Sequence, residues 1–230
     1  MQITVSMRRV KVLLVTVLAV LSVLGLIAEY AHYVLRSKSE LIYYFSLSEE
    51  KNFPTWWSSF LLLACAIVLG AIAANKTRAA GQFRKHWAVL AAIFCYMSID
   101  EFVEIHEWLS SMRGLDELGG VAYYGWVVPG GILVAAFAVS YLRFLFHLPA
   151  KTRFKVALAG ALFVGGAFCI ELILGVFTTK HGDQNFNWTL ISWVEENMEM
   201  MGSSLFFYTL LEYLGGLAPD LRVAIRSGRD

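Results

Sequence analysis

The sequence predicts an all-α polytopic membrane protein: six transmembrane helices in a single bundle spanning residues 1–230, with both termini cytoplasmic. Three observations carry this. The 230 residues are 58% hydrophobic and 14% aromatic, with a mean hydropathy of +0.60, too apolar for a soluble domain. Six stretches approach or exceed the roughly 20 apolar residues that cross a bilayer as a helix. The basic residues divide unequally between the two sets of inter-helix connections.

The first span is placed at residues 12–35. It follows Met7-Arg8-Arg9-Val10-Lys11, which resembles the start of a secretory signal. Its apolar run is longer than a usual signal core and lacks an Ala-x-Ala site, so it is read as a retained helix. The others are placed at 55–75, 87–109, 122–146, 156–178 and 189–214. Trp56, Trp57, Trp87, Trp126 and Trp188 fall near span ends, where interfacial aromatics belong. Pro129-Gly130-Gly131 predicts a kink in the fourth span. Small residues in the fifth (Gly160, Ala161, Gly165, Gly166, Ala167) and sixth (Gly202, Ser203, Ser204) allow close approach, which puts these two at the bundle centre.

One side of this arrangement collects 14 basic residues: Arg8, Arg9, Lys11, Lys76, Arg78, Arg84, Lys85, Arg143, Lys151, Arg153, Lys155, Arg222, Arg226 and Arg229. The other side has 5, namely Arg36, Lys38, Lys51, Arg113 and Lys180. The richer side is cytoplasmic by the positive-inside rule, which suits a cell inner membrane with the poorer side facing the periplasm or exterior. A net charge of +1 without a basic patch argues against nucleic acid as a partner. Cys65, Cys95 and Cys169 stand singly in apolar runs and read as small core residues.

The chemistry lies in the acids. Nine of the 18 acidic residues fall well inside the expected spans: Glu29, Asp100, Glu101, Glu104, Glu107, Glu171, Glu195, Glu196 and Glu199, with Glu212 set aside as interfacial at the cytoplasmic end of the sixth. No lysine or arginine lies near them along those stretches. An ionised side chain at bilayer depth costs at least about 2.5–3.5 kcal/mol, so bound cations, bound protons or a water-filled cavity must offset it. At about 1.5 Å per residue, these positions form one layer roughly 5–15 Å below the external surface, on four helices. At about 100° per residue, Asp100, Glu104 and Glu107 share a face, as do Glu195 and Glu199, and Glu29 shares one with His32.

Helical dimetal carboxylate sites use a Glu from each of two helices and Glu-x-x-His from two others. Glu29-Tyr30-Ala31-His32 supplies one such motif. The second is missing, because the residue three before His106 is Val103. The expected metal ligands are Glu29, His32, Asp100, Glu104, His106, Glu107, Glu171, Glu195 and Glu199. The expected cofactor is a divalent metal ion, with iron, zinc, manganese and calcium all compatible with such ligands. Asp-Glu-x4-His-Glu (Asp100, Glu101, His106, Glu107) and Glu-Glu-x2-Glu-Met-x-Gly (Glu195, Glu196, Glu199, Met200, Gly202) resemble motifs of a group of uncharacterised bacterial multi-pass membrane proteins. The resemblance implies that the two motifs act as a unit and implies no reaction.

Three functional classes fit. One is a membrane metalloprotein, in which the metal of a metal-dependent enzyme would activate oxygen or a bound water. Another is a cation or proton channel or transporter using the same acids. The third is an accessory subunit with a structural metal. The expected partners are the lipid bilayer, metal cations, and a second copy of the chain or a larger membrane complex. No Walker A loop, Gly-x-Gly-x-x-Gly fingerprint, serine-nucleophile motif or Cys-x-x-Cys-His is present.

Overall fold

A computed structural model describes residues 6–78, 82–105, 119–120 and 123–217, with side chains from 76 to 78 not described. The described residues form helices and no strand: α1 (Met7–Tyr33), α2 (Leu41–Phe45), α3 (Phe53–Arg78), α4 (Arg84–Val103), α5 (Val127–His147), α6 (Ala150–Val164), α7 (Glu171–His181) and α8 (Phe186–Leu217). A π-helical turn, Gly165–Ile170, joins α6 to α7. Five apolar stretches are long enough to cross a membrane: Met7–Tyr33, Phe53–Asn75, Arg84–Val103, Val127–His147 and the composite Ala150–His181. The fold is that of a polytopic helical membrane protein. Helix α8, with 32 residues, lacks apolarity rather than length, because it carries Glu195, Glu196, Glu199 and Glu212.

Helix α8 is the axis of the bundle and packs against α1, α3, α6, the π turn and α7. Small residues permit this, as the sequence predicts. A methyl group added at Gly202 would lie 2.7 Å from the Phe163 amide nitrogen and 2.8 Å from the Ala159 carbonyl oxygen. The main core lies toward the end of the bundle where α3 and α8 finish. There Leu69, Ile72, Trp87, Phe144 and Leu210 are buried together. Lipid takes the place of a second core layer outside them, which is why Val12, Ile67, Leu133 and Val139 remain more than half exposed.

Several expectations change. Trp87 is only 2% exposed and stacks on Tyr213 at 5.1 Å, so it is a core residue and not an interfacial anchor. Pro129 sits in the first turn of α5, where its missing N–H forfeits no intrahelical bond, and α5 runs on to His147 as one helix. Cys65 is buried, but Cys95 and Cys169 are exposed on the outside of the bundle. The third span was expected to reach residue 109. Helix α4 instead ends at Val103, and Glu104 takes a left-handed backbone conformation with φ 59°.

The close α6–α8 contact is testable. Gly202→Ala should cost about 1–3 kcal/mol by overpacking against backbone that cannot yield. Gly160→Ala, with nothing within 4 Å of the added methyl, should be close to neutral. Thermal unfolding of the two variants in the same detergent would separate them.

Candidate functional site

The acids gather at the end of the bundle where α1 and α4 finish and α3 and α8 begin. Tyr30 and Phe186 meet there edge to face at 6.1 Å, and Lys51 pairs with Glu104 at 2.9 Å. The connection between α2 and α3, residues 46–52, folds back between the helices instead of lying over them. Leu47 is 3% exposed and occupies the space beside Gly25, where an added methyl would come within 2.3 Å of Leu47 Cδ1. Asn52 holds the loop's shape. Its Nδ2 donates to the carbonyls of Tyr43, Ser46 and Glu49 at 3.2, 2.7 and 2.7 Å, while its Oδ1 accepts from the Thr55 amide in the first turn of α3.

This loop divides the acids into two groups. The outer group surrounds Glu29, which is 2% exposed although it belongs to an otherwise apolar helix. Ser46 Oγ and Ser48 Oγ donate to Glu29 Oε1 at 2.5 and 2.7 Å, and the Ser48 amide points at the same oxygen from 3.4 Å. His32, Tyr33 and Glu49 line the same cavity, of about 340 Å³. Glu49, in the loop outside the membrane helices, has its carboxyl pushed above the ordinary value of 4.5. Partial burial is the first cause and the Glu29 charge the second, with His32 acting in the opposite direction.

The inner group is larger. Glu199 stands within electrostatic reach of Glu101, Glu195, Glu171 and Glu50, and Glu196 within reach of Glu199, Glu50, Glu101 and Glu195. Glycine makes the approach possible here too: a methyl at Gly166 would lie 2.9 Å from both the Glu195 carbonyl oxygen and Glu199 Cγ. The π turn ends immediately before Glu171, whose Oε1 accepts from Trp126 Nε1 at 2.9 Å. Thr55 Oγ1 donates to Glu50 Oε2 at 3.2 Å.

Glu29 and Glu195 therefore stand at different heights. Trp193 Nε1 donates to the Ser22 carbonyl at 2.9 Å, which fixes α1 against α8. Glu29 is seven residues beyond Ser22 toward the outer end, a difference of about 10 Å at 1.5 Å per residue. The single layer expected from depth alone is thus a group of inner acids with Glu29 above it. Of the expected ligands, Glu171 and Glu195 lie within electrostatic reach of Glu199. Glu29 and His32 belong to the outer cavity, and Glu104 is paired with Lys51. Asp100 is partly buried on α4, one residue before Glu101. His106 and Glu107 lie outside the described residues. Among the described residues, no three His, Cys, Asp or Glu side chains form a ready-made metal site.

Sequence reasoning assigned no role to Ser46, Ser48, Glu49, Glu50 and Lys51. The available signal was local: Ser-Leu-Ser-Glu-Glu-Lys-Asn packs six polar residues around one leucine. Such a segment normally reads as a solvated turn.

With this geometry in place, the chain belongs to a family described as a domain of unknown function, DUF8692, whose model matches residues 10–213. That span includes both acidic groups. No curated protein and no solved structure matches the chain.

Glu49 makes a pH prediction. A carboxyl with a raised folded-state pKa favours the fold while protonated in both states, and its contribution fades as pH rises through the folded value. The melting temperature of the wild type relative to Glu49→Gln should therefore be highest below about pH 4 and fall above the ordinary carboxyl range. Parallel unfolding curves at each pH would check this, and an increase with pH would contradict it.

Proposed function

We propose that the protein is an integral membrane cation-binding protein, with the inner acids as ligands for a divalent metal ion. The supporting observations are that Glu101, Glu195 and Glu50 are electrostatic neighbours of both Glu196 and Glu199 on α8, with Glu171 of α7 a neighbour of Glu199, and that Gly166 lets the π turn close on Glu199. Two like charges about 4 Å apart repel by about 4 kcal/mol at an effective dielectric near 20. Among the described residues, the cationic side chain recorded at this end against an acid of α4 is Lys51, on Glu104. A divalent cation would offset repulsion among such carboxylates while using their oxygens as ligands. Asp100, Glu104, His106 and Glu107 remain the further ligands proposed, while Glu29 and His32, expected from the sequence as ligands, line the outer cavity. Iron, zinc, manganese and calcium all suit an oxygen-rich set.

In this reading α8 is the sixth span, both termini are cytoplasmic, and the acidic end faces the periplasm or exterior of a cell inner membrane. The 14-to-5 division of basic residues supports that orientation. A cation or proton pathway is the second reading. One observation favours it: Glu49 lines the outer cavity while the adjacent Glu50 lies among the inner acids, so acidic groups continue inward from the surface.

Two experiments test these proposals. Cysteine at Asn187 should react with a membrane-impermeant thiol reagent applied outside cells, and cysteine at Lys151 should not; the reverse pattern would invert the orientation. Purified protein should retain stoichiometric metal. Bound metal requires deprotonated carboxylates, so a chelator should lower the melting temperature more at about pH 8 than at about pH 5. Glu199→Gln should shrink that difference. Metal-free protein, unresponsive to chelator at both pH values but supporting ion flux in liposomes, would transfer the assignment to the pathway reading.

A further inference from the structure

The outer cavity is built for something other than the proposed inner ion. We propose that it binds a primary ammonium group, carried by a small amine or by an amine-bearing lipid headgroup, with the positive charge held on Glu29. Three features point there. Glu29 is 98% buried yet lines the cavity, and its recorded hydrogen bonds, from Ser46 Oγ, Ser48 Oγ and the Ser48 amide, all converge on Oε1. Among the described residues, Oε2 has no hydrogen-bond partner, and it is not among the buried polar atoms left unsatisfied. It is therefore the oxygen that opens on the cavity. The serines fix the carboxylate's orientation through one oxygen and leave the other as an acceptor aimed at a guest. This is the division expected of a binding group whose supporting hydrogen bonds are already made.

The cavity's size and lining select the guest. About 340 Å³ falls at the small end of ligand pockets and far exceeds the roughly 30 Å³ of one water, so a bare ion would leave most of it empty. Glu49 adds a second carboxylate at the wall, and Tyr33 and Tyr43 line it with aromatic rings. A primary ammonium has three N–H donors for two carboxylates and a hydroxyl, and phenol faces tolerate a cation. Lys38 is the cationic side chain on the same wall, flanked by Ser37 and Ser39. It gives a phosphate or carboxylate adjoining the ammonium a place to rest.

The test uses the full-length protein in detergent and ethanolamine as the probe, with ethylene glycol as the neutral isostere. Isothermal titration calorimetry should show one saturable ethanolamine site and none for ethylene glycol. Glu29→Gln keeps an acceptor oxygen for Ser46 and Ser48 but removes the charge, and should weaken binding at least about 10-fold. Glu49 is exposed, so Glu49→Gln carries little folding risk; it should weaken binding by a smaller factor, about 3-fold. Protein in nanodiscs containing phosphatidylethanolamine should bind free ethanolamine more weakly than protein in phosphatidylcholine nanodiscs if the lipid headgroup is the occupant. Equal affinity in both assigns the site to soluble amines. Equal binding of ethylene glycol, unchanged affinity in both variants, or saturation by calcium or zinc alone would each overturn the proposal. Binding of ethanolamine by protein stripped of metal would show that the pocket stands independently of the inner acids.

Discussion

A carboxylate cannot enter hydrocarbon without a partner, and the outer half of this protein is shaped by that requirement. Helix α1 is long and apolar enough to insert, yet it carries Glu29 four residues before its end. The α2–α3 loop meets the demand by bringing Ser46 and Ser48 down to the carboxylate. For the serines to arrive there, Leu47 between them must point the other way, and it does so into the space that Gly25 leaves on α1. Asn52 then closes the loop on itself and starts α3. A short polar segment thereby becomes an interior element, and its position determines where the neighbouring Glu49, Glu50 and Lys51 can go.

The same requirement is met differently at each helix. Glu104 takes the charge of Lys51, Glu171 takes an indole N–H from Trp126, and Glu212 at the far end is paired with Lys155. Glu196 and Glu199 have other acids as their electrostatic neighbours. Lipid offers no hydrophobic force to push helices together, so their spacing depends on how closely backbones can approach. Gly166 and Gly202 set that spacing for α8, and Gly166 does so beside the carboxylates themselves. Packing and charge are therefore linked: the contact that holds α6 and the π turn to α8 is also the one that brings Glu171 toward Glu199.

Five spans were legible because a run of about 20 apolar residues has few other uses, and the close α6–α8 contact was legible from small residues. The details of the site were not. A depth count treats each helix as straight and begins at an assumed boundary, so it placed Glu29 level with Glu195. The Trp193–Ser22 contact shows the offset. The angular argument stacked Glu104 over Asp100, but the chain leaves the helix at Val103 with no glycine or asparagine to announce it. Trp87 sits where an interfacial tryptophan would, and only its tertiary partner Tyr213 shows that it is core. Lys51 was counted as a loop charge, because its pairing with Glu104 joins residues 53 positions apart.

These departures share a cause. Periodicity and hydropathy report what a segment does alone, whereas buried acids report what a segment needs from elsewhere. The consequence is clearest at Glu49 and Glu50. They are chemically identical and adjacent, yet one lines the outer cavity and the other lies within electrostatic reach of Glu196 and Glu199 on α8. Residues 47–52 turn at every position, so neighbouring side chains there can serve different sides. The loop is thus a partition with an acid on each face, held in place by Leu47 and Asn52. A ligand on the outer face and a cation on the inner face would act on the same few residues of backbone. Whatever the inner group binds, residues 46–52 join it to the outer cavity.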